Sequence, residues 1–257
     1  MARFFNRIRI KALAESRFAR YMVYAVGEIV LVVIGILIAV EINNWNEERK
    51  LDLERNEIIA SLIEDFKYNA DKIENDEIKW SDYQLSTMNL YFDLIEQEKQ
   101  IVSTDSLRNL ALRFMRHSNF SPNLSTYNKA QSSGKISLLN NKQLLNDIAD
   151  YFEVYKSLNN FYEEQVHAFY SGSTWEFRKT LEPGLIYNTR WSGSTAKDSS
   201  FTNYRRIMTG VLARNALQNA YMMEGNVNNL LRRLLKETNE ILATLEEMQS
   251  ESKKANR

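Results

Sequence analysis

The sequence predicts an all-α protein: a single N-terminal transmembrane helix followed by a long-helix extracytoplasmic antiparallel bundle. Three observations predict it. Tyr21 to Val40 reads YMVYAVGEIVLVVIGILIAV, with Glu28 as its one charge; at helical rise it reaches about 30 Å, the thickness of a bilayer's hydrocarbon core. The 257 residues hold only eight glycines and two prolines, so long stretches carry no helix breaker. Downstream, apolar residues recur at alternating steps of three and four, the pattern of amphipathic helices.

Residues 1–20 come first. They carry Arg3, Arg7, Arg9, Lys11, Arg17 and Arg20 against Glu15, a net +5 inside a chain whose formal charge is zero. That Lys/Arg excess keeps the amino end cytoplasmic and sends the rest across the membrane. ARFFNRIRIKALA reads as a basic amphipathic helix on an anionic leaflet or, alternatively, as an unstructured positive flank. The membrane helix is assigned to residues 21–42, with Tyr21 and Tyr24 as interfacial anchors at the inner boundary and Trp45 at the outer one. The bulky Ile38 and Val40 before Glu41 lack the small residues of a cleavage site, so an uncleaved signal-anchor is expected.

Residues 43–257 form the extracytoplasmic domain. Ile59, Leu62, Phe66, Ala70 and Ile73 mark one stripe, continued by Trp80, Met88, Tyr91 and Leu94. They predict one long helix, or two nearly continuous ones, from about residue 21 to 98. Ser103-Thr104-Asp105 caps a short helix over Leu107–Arg116, and Asn119 to Leu124 is a turn around Pro122. Ser125 or Thr126 opens the next helix, which Gly134 ends as a left-handed cap. Asn140 or Asn141 caps a long segment with Leu145, Ile148, Phe152, Tyr155, Tyr162, Val166 and Phe169 on its face. Gly172 breaks it, Ser173 and Glu176 have capping-box spacing, and Pro183-Gly184 stops it. Residues 184–200 are loop-like. The last helix runs from about 201 to 250 with Leu217, Ala220, Val227, Leu231, Leu234, Ile241, Leu245 and Met248 inward, and the tail ESKKANR frays. Helices of this kind bury their faces against one another, hence the bundle.

The segment Tyr24-Ala25-x-Gly27-Glu28-Ile29, Val32 to Ala39, and Ile42-Asn43-Asn44-Trp45-Asn46-Glu47 resembles a family of single-pass membrane proteins widespread in Bacteroidota, a domain of unknown function. Ser125-Thr126-Tyr127, Ser133-Gly134-Lys135 and the helix opening at Asn141 resemble it more loosely. The resemblance implies an inner (cytoplasmic) membrane location with a periplasmic helical domain, and it supplies no activity.

Within the span, Glu28 is the sharpest candidate, because an acid at that depth is costly and faces protein, water or a partner. It shares a stripe with Gly35, and Gly35 with Ala39 forms a small-xxx-small pair that permits close helix approach. Two readings stay open: a helix–helix contact, or a boundary residue that reaches the headgroups. Glu164-x-x-His167 has the spacing of half a di-iron site, but the other histidine, His117, lacks the second half, so no metal is expected. Zero cysteines exclude disulfides and thiolate chemistry. Pairs such as Glu47-Glu48 and Glu246-Glu247 read as solvated faces. The near-repeats Ser171–Thr174 and Ser192–Thr195 read as turns. The aromatic set Phe152, Tyr155, Phe161, Tyr162, Phe169, Tyr170 and Trp175 reads mostly as core. The mild acidity of the large domain disfavours nucleic acid.

The reading is a non-enzymatic interaction or sensing module with no cofactor and no catalytic residue. Its partners are the lipid bilayer and either a protein or a second copy bound through the span. The alternatives are a structural subunit of a membrane complex, or an enzyme with a site inside the bundle.

Overall fold

The computed structural model describes residues 17–96, 119–180, 207 and 209–255, with side chains from Tyr21 onward. Every regular element among them is helical. In chain order these are α1 (Arg17–Asp71), a π-helical segment (Lys72–Ile78), α2 (Lys79–Glu96), α3 (Ser125–Ser132), a 3-10 turn (Lys135–Leu139), α4 (Lys142–Tyr170), α5 (Ser173–Arg178) and α6 (Val211–Ala255). The basic segment 2–14, the helix expected over Leu107–Arg116, the Pro183-Gly184 stop and the 184–200 loop lie outside the described residues.

The chain divides into two compact units, Met1–Glu57 and Ile58–Arg257. In the first unit every described side chain from Tyr21 to Leu53 is exposed. This part of α1 is long and apolar enough to cross a membrane, with a mean hydropathy of 2.7 over its most apolar window and none of that window buried. Trp45 lies beneath the Arg49 guanidinium, 6.0 Å from ring centroid to carbon.

The second unit is built on three long passes: the first (α1 into α2) and α4 run parallel to each other, and both run antiparallel to α6. Lys67 pairs with Glu246 at 2.7 Å and Asp82 with Arg232 at 2.7 Å, so the chain descends along α6 as it climbs from α1 into α2. Asn141 faces Met248 and Gln165 faces Glu224, so α4 also runs against α6. Buried positions on α6 follow Ala213, Leu217, Glu224, Val227, Leu231, Leu234, Thr238, Ile241, Leu245 and Met248. With half-buried Ala220 included, the steps alternate four and three without a break. That spacing keeps one stripe aligned with its neighbours over the whole helix.

On the first pass the stripe is reset. Ile59, Leu62, Phe66 and Asn69 are buried before the π segment, Ile73 and Ile78 within it, and Ser81, Gln84, Met88, Tyr91 and Ile95 after it. The step from Ile73 to Ile78 is five residues, one more than an α-turn accommodates, and the wider π turn absorbs the surplus. Trp80, expected inside, is therefore half-buried, while Ile78 and Ser81 take the inward positions. On α4 the buried face is Leu144, Ile148, Tyr151, Val154, Leu158 and Tyr162, centred one residue from the expected one. Val166, expected inward, is consequently exposed.

Turns and caps follow local chemistry. Gly134 takes φ 72°, the left-handed conformation that favours glycine, between α3 and the 3-10 turn. The Asn141 side chain accepts the Leu144 N–H at 3.0 Å and caps α4. The expected capping box at Ser173 is corrected: Gly172 holds the cap position, Ser173 is already helical, and no side chain caps α5. Gly172 is required there because a Cβ would stand 2.8 Å from the Ala168 Cα. The carboxyl end departs from expectation too, since α6 continues through Ala255.

The N-terminus of α3 is capped across the bundle. Its own cap residue, Leu124, has no polar side chain to offer. Asp65 on α1 substitutes, accepting the Thr126 N–H at 3.0 Å, the Ser125 hydroxyl at 3.2 Å and the Asn123 side-chain amide at 2.6 Å. Asn69 completes the clamp: it donates to the Asn123 carbonyl at 2.9 Å and accepts the Asn123 N–H at 2.7 Å.

Candidate functional site

The core of the second unit is two apolar clusters. One gathers Phe66, Ile73, Ile78, Tyr151, Leu158, Tyr162, Val227, Leu231 and their neighbours. The other gathers Met88, Tyr91, Ile95, Phe177, Ala213, Ala216 and Leu217. Between Ile78 and Met88 on the first pass the inward residues are Ser81 and Gln84; between Leu217 and Val227 on α6 the fully buried one is Glu224. The seam thus turns polar where one cluster gives way to the other.

Glu224 is 2% exposed and is the only buried carboxyl among the described residues. Gln165 on α4 donates its Nε2–H to Glu224 Oε2 at 2.9 Å. The Ser81 hydroxyl on α2 faces the same carboxyl. Glu224 Oε1, Gln165 Oε1, Ser81 Oγ and both polar atoms of Gln84 make no hydrogen bond of ordinary geometry among the described residues. Burial pushes the Glu224 carboxyl above the ordinary carboxylate range, and the like charge of Glu77 on the π segment pushes the same way; Ser81 and Gln165 act in the opposite sense. An acid in this setting carries its proton more readily than an exposed one.

At the solvent edge of the layer stands a charged rim. Arg232 donates to Asp82 Oδ1 and Oδ2 at 2.7 and 2.8 Å, a bidentate fork. Asn228 donates to Asp82 Oδ1 at 2.9 Å and accepts from Arg232 Nε at 2.8 Å. Partial burial of Asp82 pushes its pKa upward, but the hydrogen bonds from Arg232 and Asn228 and the Arg232 charge outweigh this and hold it below the ordinary value.

Arg178 is a second buried charge. Its guanidinium stacks on Phe169 at 3.8 Å and donates to the Phe169 carbonyl at 3.0 Å, closing the C-terminal turn of α4.

The residues singled out from sequence fall elsewhere. Glu28, Gly35, Ala39, Tyr21, Tyr24 and Trp45 are all exposed in the first unit, and nothing lies within 4 Å of where a Gly35 Cβ would stand. Glu164 and His167 are exposed on α4, and His117 lies outside the described residues. Among the described residues no three metal-ligating side chains converge. Of the aromatic set, Tyr162 is buried and Phe152, Tyr155, Phe161 and Phe169 pack against the clusters, whereas Tyr170 and Trp175 are exposed. Glu224 escaped the sequence reading, although a signal was present: the apolar stripe of α6 skips two seam positions, and these hold Glu224 and Thr238.

A model described as a family of unknown function matches residues 28–215, well over half of the chain. No curated protein matches, and no solved structure matches.

Proposed function

We propose, for a chain that belongs to the DUF6090 family of unknown function, that it is a non-enzymatic membrane-anchored module. Its helical domain binds a protein partner or senses a ligand on the periplasmic side of the inner membrane. The observation that carries this reading is the apolar stretch of α1, whose described side chains from Tyr21 to Leu53 are all exposed. A run of exposed Ile, Leu and Val of this length is stable in lipid and aggregates in water. The basic residues before it and the acidic balance after it support the sidedness.

The alternative of an enzyme asks for a polar pocket in the bundle. The interior does hold a polar layer, but its carboxyl is sealed from solvent, which favours the binding reading. Fractionation tests the anchor: the full chain stays in the membrane pellet through high-salt and alkaline washes, and its appearance in the soluble fraction overturns the reading. Protease added to cells stripped of their outer membrane tests the side. Digestion of the carboxyl-terminal domain supports a periplasmic location, and its survival in intact spheroplasts refutes it.

Glu28, Gly35 and Ala39 are proposed to mediate association of the span with a second copy or a partner helix. In a membrane two-hybrid reporter carrying the span, Glu28→Leu and Gly35→Ile lower the signal several-fold. An unchanged signal in both variants rules out this contact.

A further inference from the structure

Arg178 is the only buried basic residue among the described residues, at 8% exposed, and no carboxylate among them pairs with it. A guanidinium stays charged at any ordinary pH, so its burial calls for a counter-charge or for an acceptor on each edge. Only part of that demand is met. Nη1 donates to the Phe169 carbonyl at 3.0 Å, at the negative end of the α4 dipole. The Phe169 ring centroid stands 3.8 Å from the guanidinium carbon and that of Trp175 5.6 Å. The Nε–H is buried and makes no hydrogen bond among the described residues. Nε and Nη2 share the edge that Nη1 leaves, with N–H bonds pointing the same way, and two parallel donors match two oxygens of one carboxylate or phosphate. We propose that Arg178 is an oxyanion-binding site: its Nε–Nη2 edge takes the carboxylate or phosphate group of a ligand, and Trp175 takes the ligand's apolar body.

The surroundings of the guanidinium fit such a ligand. Trp175 is 37% exposed on α5, whereas Phe177, two residues on, is fully buried, so an indole meets solvent beside the cation. It is also the further of the two ring walls, and so the side by which a ligand reaches the open edge. Exposed Tyr170 packs edge-on against Phe169 at 4.9 Å and extends the aromatic surface around the charge. An apolar wall with one fixed polar group is the usual make-up of a small-molecule site. The nearest acid on α5 does not compete: Glu176 is paired with Lys179 at 2.7 Å. This site deepens the binding reading above by giving it a ligand class, and it rests on that reading for a ligand to be present. Anchoring and membrane side are tested separately, and binding at Arg178 is measured in micelles whichever way those tests fall.

Full chain in neutral-detergent micelles is titrated with benzoate, phenyl phosphate and acetate, and with benzyltrimethylammonium as the charge-reversed control, all at constant ionic strength. Binding is read from the arginine Nε–H resonances, that of Arg178 being the one lost in Arg178→Lys. Benzoate or phenyl phosphate moves this resonance saturably, the tighter of the two identifies the acid group, and the cation leaves it in place. Calorimetry then compares the variants. Arg178→Lys keeps the charge but loses the fork, and lowers affinity at least about tenfold. Trp175→Leu lowers it several-fold and narrows the advantage of benzoate over acetate; this variant carries the test if Arg178→Lys does not fold. No saturable shift with either anion, parallel shifts of every arginine side chain, or unchanged affinity in both variants overturns the site.

Discussion

At the residue scale, Asp65 shows how much one side chain can organise. It satisfies two backbone or hydroxyl donors at the start of a helix whose own cap residue is Leu124. Asp65→Ala leaves those donors unmet, and the expected loss is about 1–2 kcal/mol of unfolding free energy, as for removal of an N-cap. Urea titration of helicity measures it, and hydrogen exchange places the loss in α3. Asp82 makes a prediction with a sign. Its folded pKa lies below the ordinary value of 3.8, so its contribution is present above that value and fades as pH falls below it. Acid unfolding of Asp82→Asn therefore shows a shallower loss of stability below pH ~4 than wild type. The Asp82 side chain is half-exposed, and solvent screening keeps the difference small. Glu224 illustrates the limit of reading residues singly. Counted among 33 acids, it is indistinguishable from the solvated ones. Only its place in the four-three sequence of α6 sets it apart.

At the element scale, what was readable was what obeys a constant period. The α6 seam is visible from Leu217 to Met248 because no irregularity interrupts it. The caps at Asn141 and Gly134 are visible because both depend on a local chemistry that one residue carries. The π segment was not visible. A periodic template carried past Ile73 arrives at Trp80, because nothing in KIENDEI announces a wider turn. This yields a direct test: deletion of Asn75, an exposed residue within the segment, shortens the Ile73–Ile78 step to four and is absorbed by an ordinary α-turn. Stability should change by less than about 1–2 kcal/mol, the scale of a local helix adjustment. Deletion of Ser86 instead rotates everything after it by about 100° and takes Met88, Tyr91 and Ile95 off the core. Thermal unfolding of the two variants distinguishes them. At the α4–α5 junction, Gly172→Ala forces a Cβ against the Ala168 backbone and should cost about 1–3 kcal/mol.

At the scale of the whole molecule, one sequence carries two kinds of apolar surface. From Tyr21 to Leu53 the Ile, Leu and Val side chains are exposed, while most of those described in the second unit are hidden in two clusters. Sequence composition separates these regimes because an uninterrupted apolar run and an amphipathic stripe differ in kind. Site chemistry was far less readable, since the polar layer is assembled from three helices whose facing residues are distant in the chain. Ser81, Gln165 and Glu224 meet only because the π segment sets the register of α2 against α4 and α6. The same segment bears on descent. A long packed helix ordinarily rejects any gain or loss of a single codon, because every later side chain swings out of place. A turn that already holds a surplus residue offers a harmless exit. Length differences among homologues should therefore gather between Lys72 and Ile78, leaving the remainder of the first pass constant in residue count.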